Sequence, residues 1–300
     1  MRQLGRGLLV CWRMLYPLLI YEVISSLAAT AGLMLLPMFA RTADLSATAR
    51  QDLYLRWQVP LTAFGAIVAA IPLGLLYRNM RRERTIRGKW VFDGDQDFRG
   101  EEDFHGNQDC CQNRKAPFYY VVLLGFTACL FGNSLVYLLP LPTDGFAQVS
   151  AALYAPPPWE QALCMGVLIP LAEELVFRGL GYGRLREDTG PLAAALISSI
   201  YFGLFHANVL QAVYAAILGV LLALLYEWYD SLTAPYMMHM MANLTSVWVT
   251  NTLTGALLRT FPLLALLLTV LCGILSIRIL LRIREECKHD ETVIHSDTLL

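Results

Sequence analysis

The chain has 300 residues, 56% of them hydrophobic and only 16% charged, with a net charge of −1 and a mean hydropathy of +0.49. A soluble domain of this length carries nearer a quarter charged residues, so a freely soluble globular fold is excluded, and the lipid is the solvent for most of the surface. The seven cysteines are scattered without a CxxC pair, which excludes a disulfide framework or a cysteine-rich zinc cluster.

Arg2, Arg6 and Arg13 precede the first apolar run. No small-residue cleavage site follows, so an uncleaved helix is expected there rather than a signal peptide. Eight stretches reach or approach the roughly 20 apolar residues that a membrane-spanning helix needs. They are 17–39, 58–77, 117–140, 158–180, 190–207, 209–229, 231–252 and 259–282. The expected fold class is an all-α membrane protein, a polytopic bundle of about eight transmembrane helices. Residues 1–116 form a two-span region with a polar cytoplasmic loop over 78–116. Residues 117–282 form a six-span region, and 283–300 a cytoplasmic tail.

Lysine and arginine in short loops set the orientation. Arg78, Arg81, Arg82, Arg84, Arg87 and Lys89 follow the second span, Arg184 and Arg186 follow the fourth, and Arg282, Arg284 and Lys288 follow the last. With eight spans these fall on one side together with both termini, so the protein is expected in the cell membrane, multi-pass, with both termini cytoplasmic. Arg41, Arg50 and Arg56 lie on the opposite side. Asp93, Asp95 and Asp97 alternate as in a calcium loop, but Phe98 stands where that loop needs glycine and Phe104 where it needs glutamate. A solvated loop is expected there.

The chemistry gathers in the later spans. Glu173 and Glu174 end an apolar run, at a cost near the bilayer centre of roughly 2.5–3.5 kcal/mol per charge. Glu174 and Arg178 are four apart, as are Phe202 and His206, and His239 and Asn243, so each pair shares a helix face. Glu173 is turned by about 100° from Glu174 and faces a different partner. Pro170 removes a helical hydrogen bond just before the acids. A carboxylate withdrawn from water is a stronger proton acceptor near neutral pH, a histidine orients water, and a histidine–amide pair donates to an oxyanion. Together these are the parts of a peptide-bond hydrolase that uses activated water. Glu173 and His206 lie at one depth if the fourth helix runs on past Arg178 or if the fifth begins within a surface-lying segment, and the first is expected. Hydrolysis calls for these side chains to meet in one cavity, expected to open to the cytoplasm.

The set Glu173-Glu174-x-x-x-Arg178, Phe202-x-x-x-His206 and His239-x-x-x-Asn243 resembles the CPBP family of intramembrane endopeptidases. These are the type 2 CAAX-prenyl proteases and their bacterial relatives, once called the Abi or bacteriocin-processing family, and the match covers 158–252. The resemblance implies Glu173 as the base assisted by His206, His239 and Asn243 as the oxyanion side, and Glu174, Arg178 and Phe202 in support. It implies a peptide or protein substrate of a lipidated or bacteriocin-like kind, the lipid bilayer as partner, and no nucleic acid. No cofactor is expected. The zinc-dependent alternative would use Glu173, His206 and His239 as ligands. Two other readings compete: a non-catalytic immunity or interaction protein on the same scaffold, and a transporter or proton relay, which predicts inverted repeats that the sequence does not display.

Overall fold

The computed structural model describes residues 2–40, 44–94, 116–138, 144–206 and 208–297. All its regular structure there is helical. In chain order the helices are α1 (Arg2–Ala40), α2 (Ala47–Gly94), α3 (Phe118–Leu138), α4 (Asp144–Leu153), α5 (158–188), α6 (Pro191–Phe205), α7 (Val209–Tyr229), α8 (Thr233–Asn251), α9 (Leu253–Thr260) and α10 (Pro262–Asp297). Each of the eight apolar stretches forms a helix, and short α4 and α9 are added between spans. Helix α2 does not stop at residue 77, where the sequence reading began a loop. It runs to Gly94, because the segment from Arg78 is free of proline and rich in arginine, which favours helix. Asp95 and Asp97 of the calcium-like pattern lie outside the described residues.

Local chemistry fixes the boundaries. Proline opens α6 after Gly190 in extended conformation, using a position whose N–H would have no helical partner. Asn208 caps α7 by accepting from the Gln211 N–H at 2.9 Å. Asp230 ends α7 in the left-handed region at φ 44°, which sends the chain back into α8. Helix α1 lies along α2, α6 along α7, and α3 between α8 and α10.

Five helices among the described residues are long and apolar enough to cross a membrane: those containing Cys11–Met38, Ala47–Arg84, Phe118–Leu135, Val209–Tyr229 and Pro262–Cys287. Their outer faces carry bare side chains such as Met34, Phe64, Leu263 and Leu267, as a lipid-facing surface requires. Helix α6 is apolar but short. Helices α5 and α8 are not in that set. Their polar side chains are tolerated because neighbours screen them from lipid: every residue from Ala172 to Gly183 is buried. The core around them joins Ala69 and Leu73 of α2, Leu124 of α3, Val176 and Phe177 of α5, Leu222 of α7 and Met238 of α8.

Ion pairs mark the two ends of the bundle. At one end Arg13 meets Asp188, Arg81 meets Asp230, Arg84 meets Glu187, and Arg186 meets Glu227. At the other, Arg56 grips Glu160 with both terminal nitrogens. Arg56 is therefore neutralised where it stands, which weakens it as a counter-signal to the arginines of the first end.

Candidate active site

Helix α5 carries the acids, and its backbone is not uniform. Pro158–Gln161 is α-helical, Ala162–Leu168 widens to π, Ile169–Glu174 returns to α, Leu175–Tyr182 widens again, and Gly183–Asp188 closes as α. The junction residues keep right-handed helical angles, so the helix is continuous past Arg178, as expected. Glu173 lies fifteen residues before Asp188, and His206 sixteen after Gly190. At ~1.5 Å per residue both stand about 22–24 Å from the arginine-rich end.

Pro170 accounts for the first wide turn and for the fixing of Asn243. The Ile169 N–H bonds to the Cys164 carbonyl, five residues back. The next donor in that register would serve Met165, but it belongs to Pro170, which has none. Asn243 Nδ2 takes its place, donating to the Met165 carbonyl at 2.9 Å. Two turns earlier on α8, the Tyr236 hydroxyl donates to the Val167 carbonyl at 3.2 Å. Two side chains of α8 thus satisfy carbonyls along the loosened turn of α5. The second N–H of Asn243 remains for other use, and the residue lines a cavity. In Pro170→Ala the new N–H competes for Met165, so Asn243 loses its anchor. A turnover lower by about tenfold is expected with the fold retained, read as kcat beside a thermal melt.

Glu174, Arg178 and His239 form one bonded chain. A single oxygen, Glu174 Oε1, accepts from Arg178 Nη1 at 3.0 Å and meets His239 Nδ1 at 2.7 Å. Arg178 is fully buried. Its Nη2 donates to the Gly219 carbonyl at 3.3 Å, and its guanidinium lies 4.3 Å from the Phe202 ring centre. A side chain at Gly219 would press within 3.2 Å of that same nitrogen, so glycine lets α7 approach closely enough to share its carbonyl. The far nitrogen of His239, Nε2, stands 3.5 Å from Glu173 Oε2. That is just beyond an ordinary hydrogen bond.

Phe202 stacks edge-on to His206, His239 and Phe177, with centroids 5.0, 5.7 and 4.9 Å apart. His206 ends α6 with extended backbone, and its Nδ1 faces the Phe202 carbonyl at 2.9 Å, leaving Nε2 for the cavity. Among the described residues His206 makes no hydrogen bond to Glu173. Glu173, His206, His239, Asn243 and Phe202 all line one cavity of about 920 Å³. Glu174 and Arg178 sit behind it. The cavity wall continues through Ser150, Tyr154, Gln211 and Thr250, toward the end of the Arg56–Glu160 pair and away from the arginine-rich end. Among the described residues no three His, Cys, Asp or Glu side chains are grouped so as to hold a metal ion. Both nitrogens of His239 face carboxylates.

The sequence reading missed Tyr236, Gly219 and Glu22, which lines the same cavity. Glu22 was legible as the one acid within Cys11–Met38.

Residues 155–245 match the family model described as type II CAAX prenyl endopeptidase Rce1-like. A segment of 126 residues is 28% identical to "Putative membrane peptidase YdiL" of Bacillus subtilis (strain 168); it takes 40% of this chain and spans about half, 52%, of that relative. No solved structure matches. The matched span holds all seven residues of the three-part motif, so the segment that carries the site is the segment similar to the type II CAAX prenyl endopeptidases.

Proposed function

We infer that the protein is an intramembrane endopeptidase that hydrolyses a peptide bond of a membrane-associated protein or peptide with activated water. The observation that carries the reading is the 3.5 Å approach of Glu173 to His239 in a cavity shared with His206 and Asn243. Glu173 takes a proton from a water held near it, and the hydroxide oxygen attacks the carbonyl carbon. The developing oxyanion accepts from the free N–H of Asn243 and from His239 Nε2–H. With Nδ1–H donated to Glu174, His239 can offer a second N–H only as imidazolium. The carboxylate of Glu174 stabilises that state, while Arg178 balances Glu174. The carbon–nitrogen bond breaks as Glu173 returns that proton to the leaving amine, while His206, through its unprotonated Nε2, accepts from the attacking water and orients it.

Zinc held by Glu173, His206 and His239 is the second reading of the same reaction. Both termini are proposed to be cytoplasmic, from the arginine-rich end, which puts the Ser150–Tyr154 part of the cavity wall toward the outer side. The test is purified protein in vesicles sorted by orientation, given synthetic transmembrane peptides added from outside, with products read by mass spectrometry. Cleavage is expected only where the Ser150–Tyr154 rim faces the peptide, and it is expected to survive chelation. Cleavage lost on chelation and restored by zinc would replace carboxylate catalysis with the metal version. No cleavage in either orientation would leave the immunity or interaction reading.

A further inference from the structure

Glu22 lies midway along α1 in a span that is otherwise uncharged except for Arg13 near its start. It is half-buried and faces the cavity that holds Glu173. Among the described residues no hydrogen bond or ion pair reaches its carboxylate. The charged neighbour whose field it feels is Glu173, and Tyr21 senses both. Arg178 is committed to Glu174, and Arg56 to Glu160. Arg259 of α9 lines the same cavity and has an interaction of its own. An ionisable group at membrane depth is costly and calls for a partner. Here two carboxylates of like sign face one space large enough for a peptide segment, and among the described residues no Lys or Arg is ion-paired to either.

We propose that Glu22 is a specificity-determining residue that receives a lysine or arginine side chain of the substrate, so that the preferred peptide carries a cation close to the bond presented to Glu173. This rests on the endopeptidase reading and names its substrate class. The cation neutralises the repulsion between the two acids while bound, whereas an acidic residue at the same position adds to it. The same geometry disfavours a substrate that is apolar throughout. Glu22 touches the substrate's side chain and takes no part in bond breaking.

The experiment uses the full chain in nanodiscs and a defined probe: synthetic 24-residue apolar peptides carrying one Lys, Gln or Glu at successive positions. Cleavage is read as kcat/KM for each peptide, and binding of fluorescent versions is measured separately in the Glu173→Gln background. Wild type is expected to prefer Lys over Glu peptides by about tenfold or more, with cuts at a fixed distance from the lysine. Glu22→Gln is expected to bring that ratio to within about twofold, and Glu22→Lys to invert it. The binding preference is expected to follow the same order. A Lys preference unchanged in Glu22→Gln, in cleavage or binding, overturns the proposal. So does a uniform loss on all three peptide types, or a shifted pH profile with the preference intact, either of which makes Glu22 a proton relay or a structural group. If nothing is cleaved but binding still favours Lys in a Glu22-dependent way, the cation site stands and hydrolysis falls.

Discussion

Glu173→Gln is expected to lower the rate of peptide-bond hydrolysis by about 10²- to 10⁴-fold, the usual contribution of a positioned general base. The amide is nearly isosteric, so the cavity and the contact with His239 survive, but it cannot take a proton from water. Peptide binding is expected to hold, since the residue is compact and sits at one point on a wall of about 920 Å³. Stability is expected to be unchanged or slightly higher, because a 93% buried charge is removed from a site where its histidine neighbour already has Glu174. The measurement is kcat, KM and a thermal melt on the same reconstituted sample. A rate equal to wild type sinks the catalytic assignment. It would leave Glu173 as a structural acid and favour the interaction or immunity reading.

Arg178→Ala is expected to be the most destabilising single change at the site. The side chain is completely buried, paired with Glu174 at 3.0 Å, bonded to the Gly219 carbonyl and stacked on Phe202. Removing one partner of a buried pair leaves an uncompensated charge and typically costs about 3–5 kcal/mol. A fall in melting temperature of about 10 °C in nanodiscs would correspond to it. The double variant Glu174→Leu with Arg178→Met takes both charges away and is expected to recover most of that stability, as replacement of buried pairs by apolar groups often does. Activity is expected to stay lost in the double variant, because His239 Nδ1 no longer has its acceptor. Recovery of both stability and activity would show that Glu174 merely packs. The catalytic account requires the two to separate.

Much of this arrangement is legible from residue order. The apolar blocks give the helices because lipid leaves the backbone few other ways to satisfy its hydrogen bonds. The motif residues share faces because each pair is four apart. What could not be read is tertiary. The first wide turn of α5 is completed by donors that α8 supplies to the Met165 and Val167 carbonyls, and neither residue spacing nor propensity announces them. Asn243 was expected as an oxyanion donor, and its identity said nothing of the N–H already spent on Met165. The extension of α2 to Gly94 was hidden because polarity was taken to mark a loop, whereas arginine-rich sequence continues a helix into water without penalty. Glu22 was passed over because it belongs to no repeated pattern. Its meaning comes from lining one cavity with Glu173, which only the assembled bundle defines.

Helix α6 has 15 residues and so spans about 22 Å, well short of the ~30 Å hydrocarbon slab. Where it stops, at His206, the bilayer beside it has to thin or solvent has to dip inward. Such a dimple delivers the reactant that every turnover consumes, and gives the two freshly made chain ends a wet exit, without any dedicated pore through the protein.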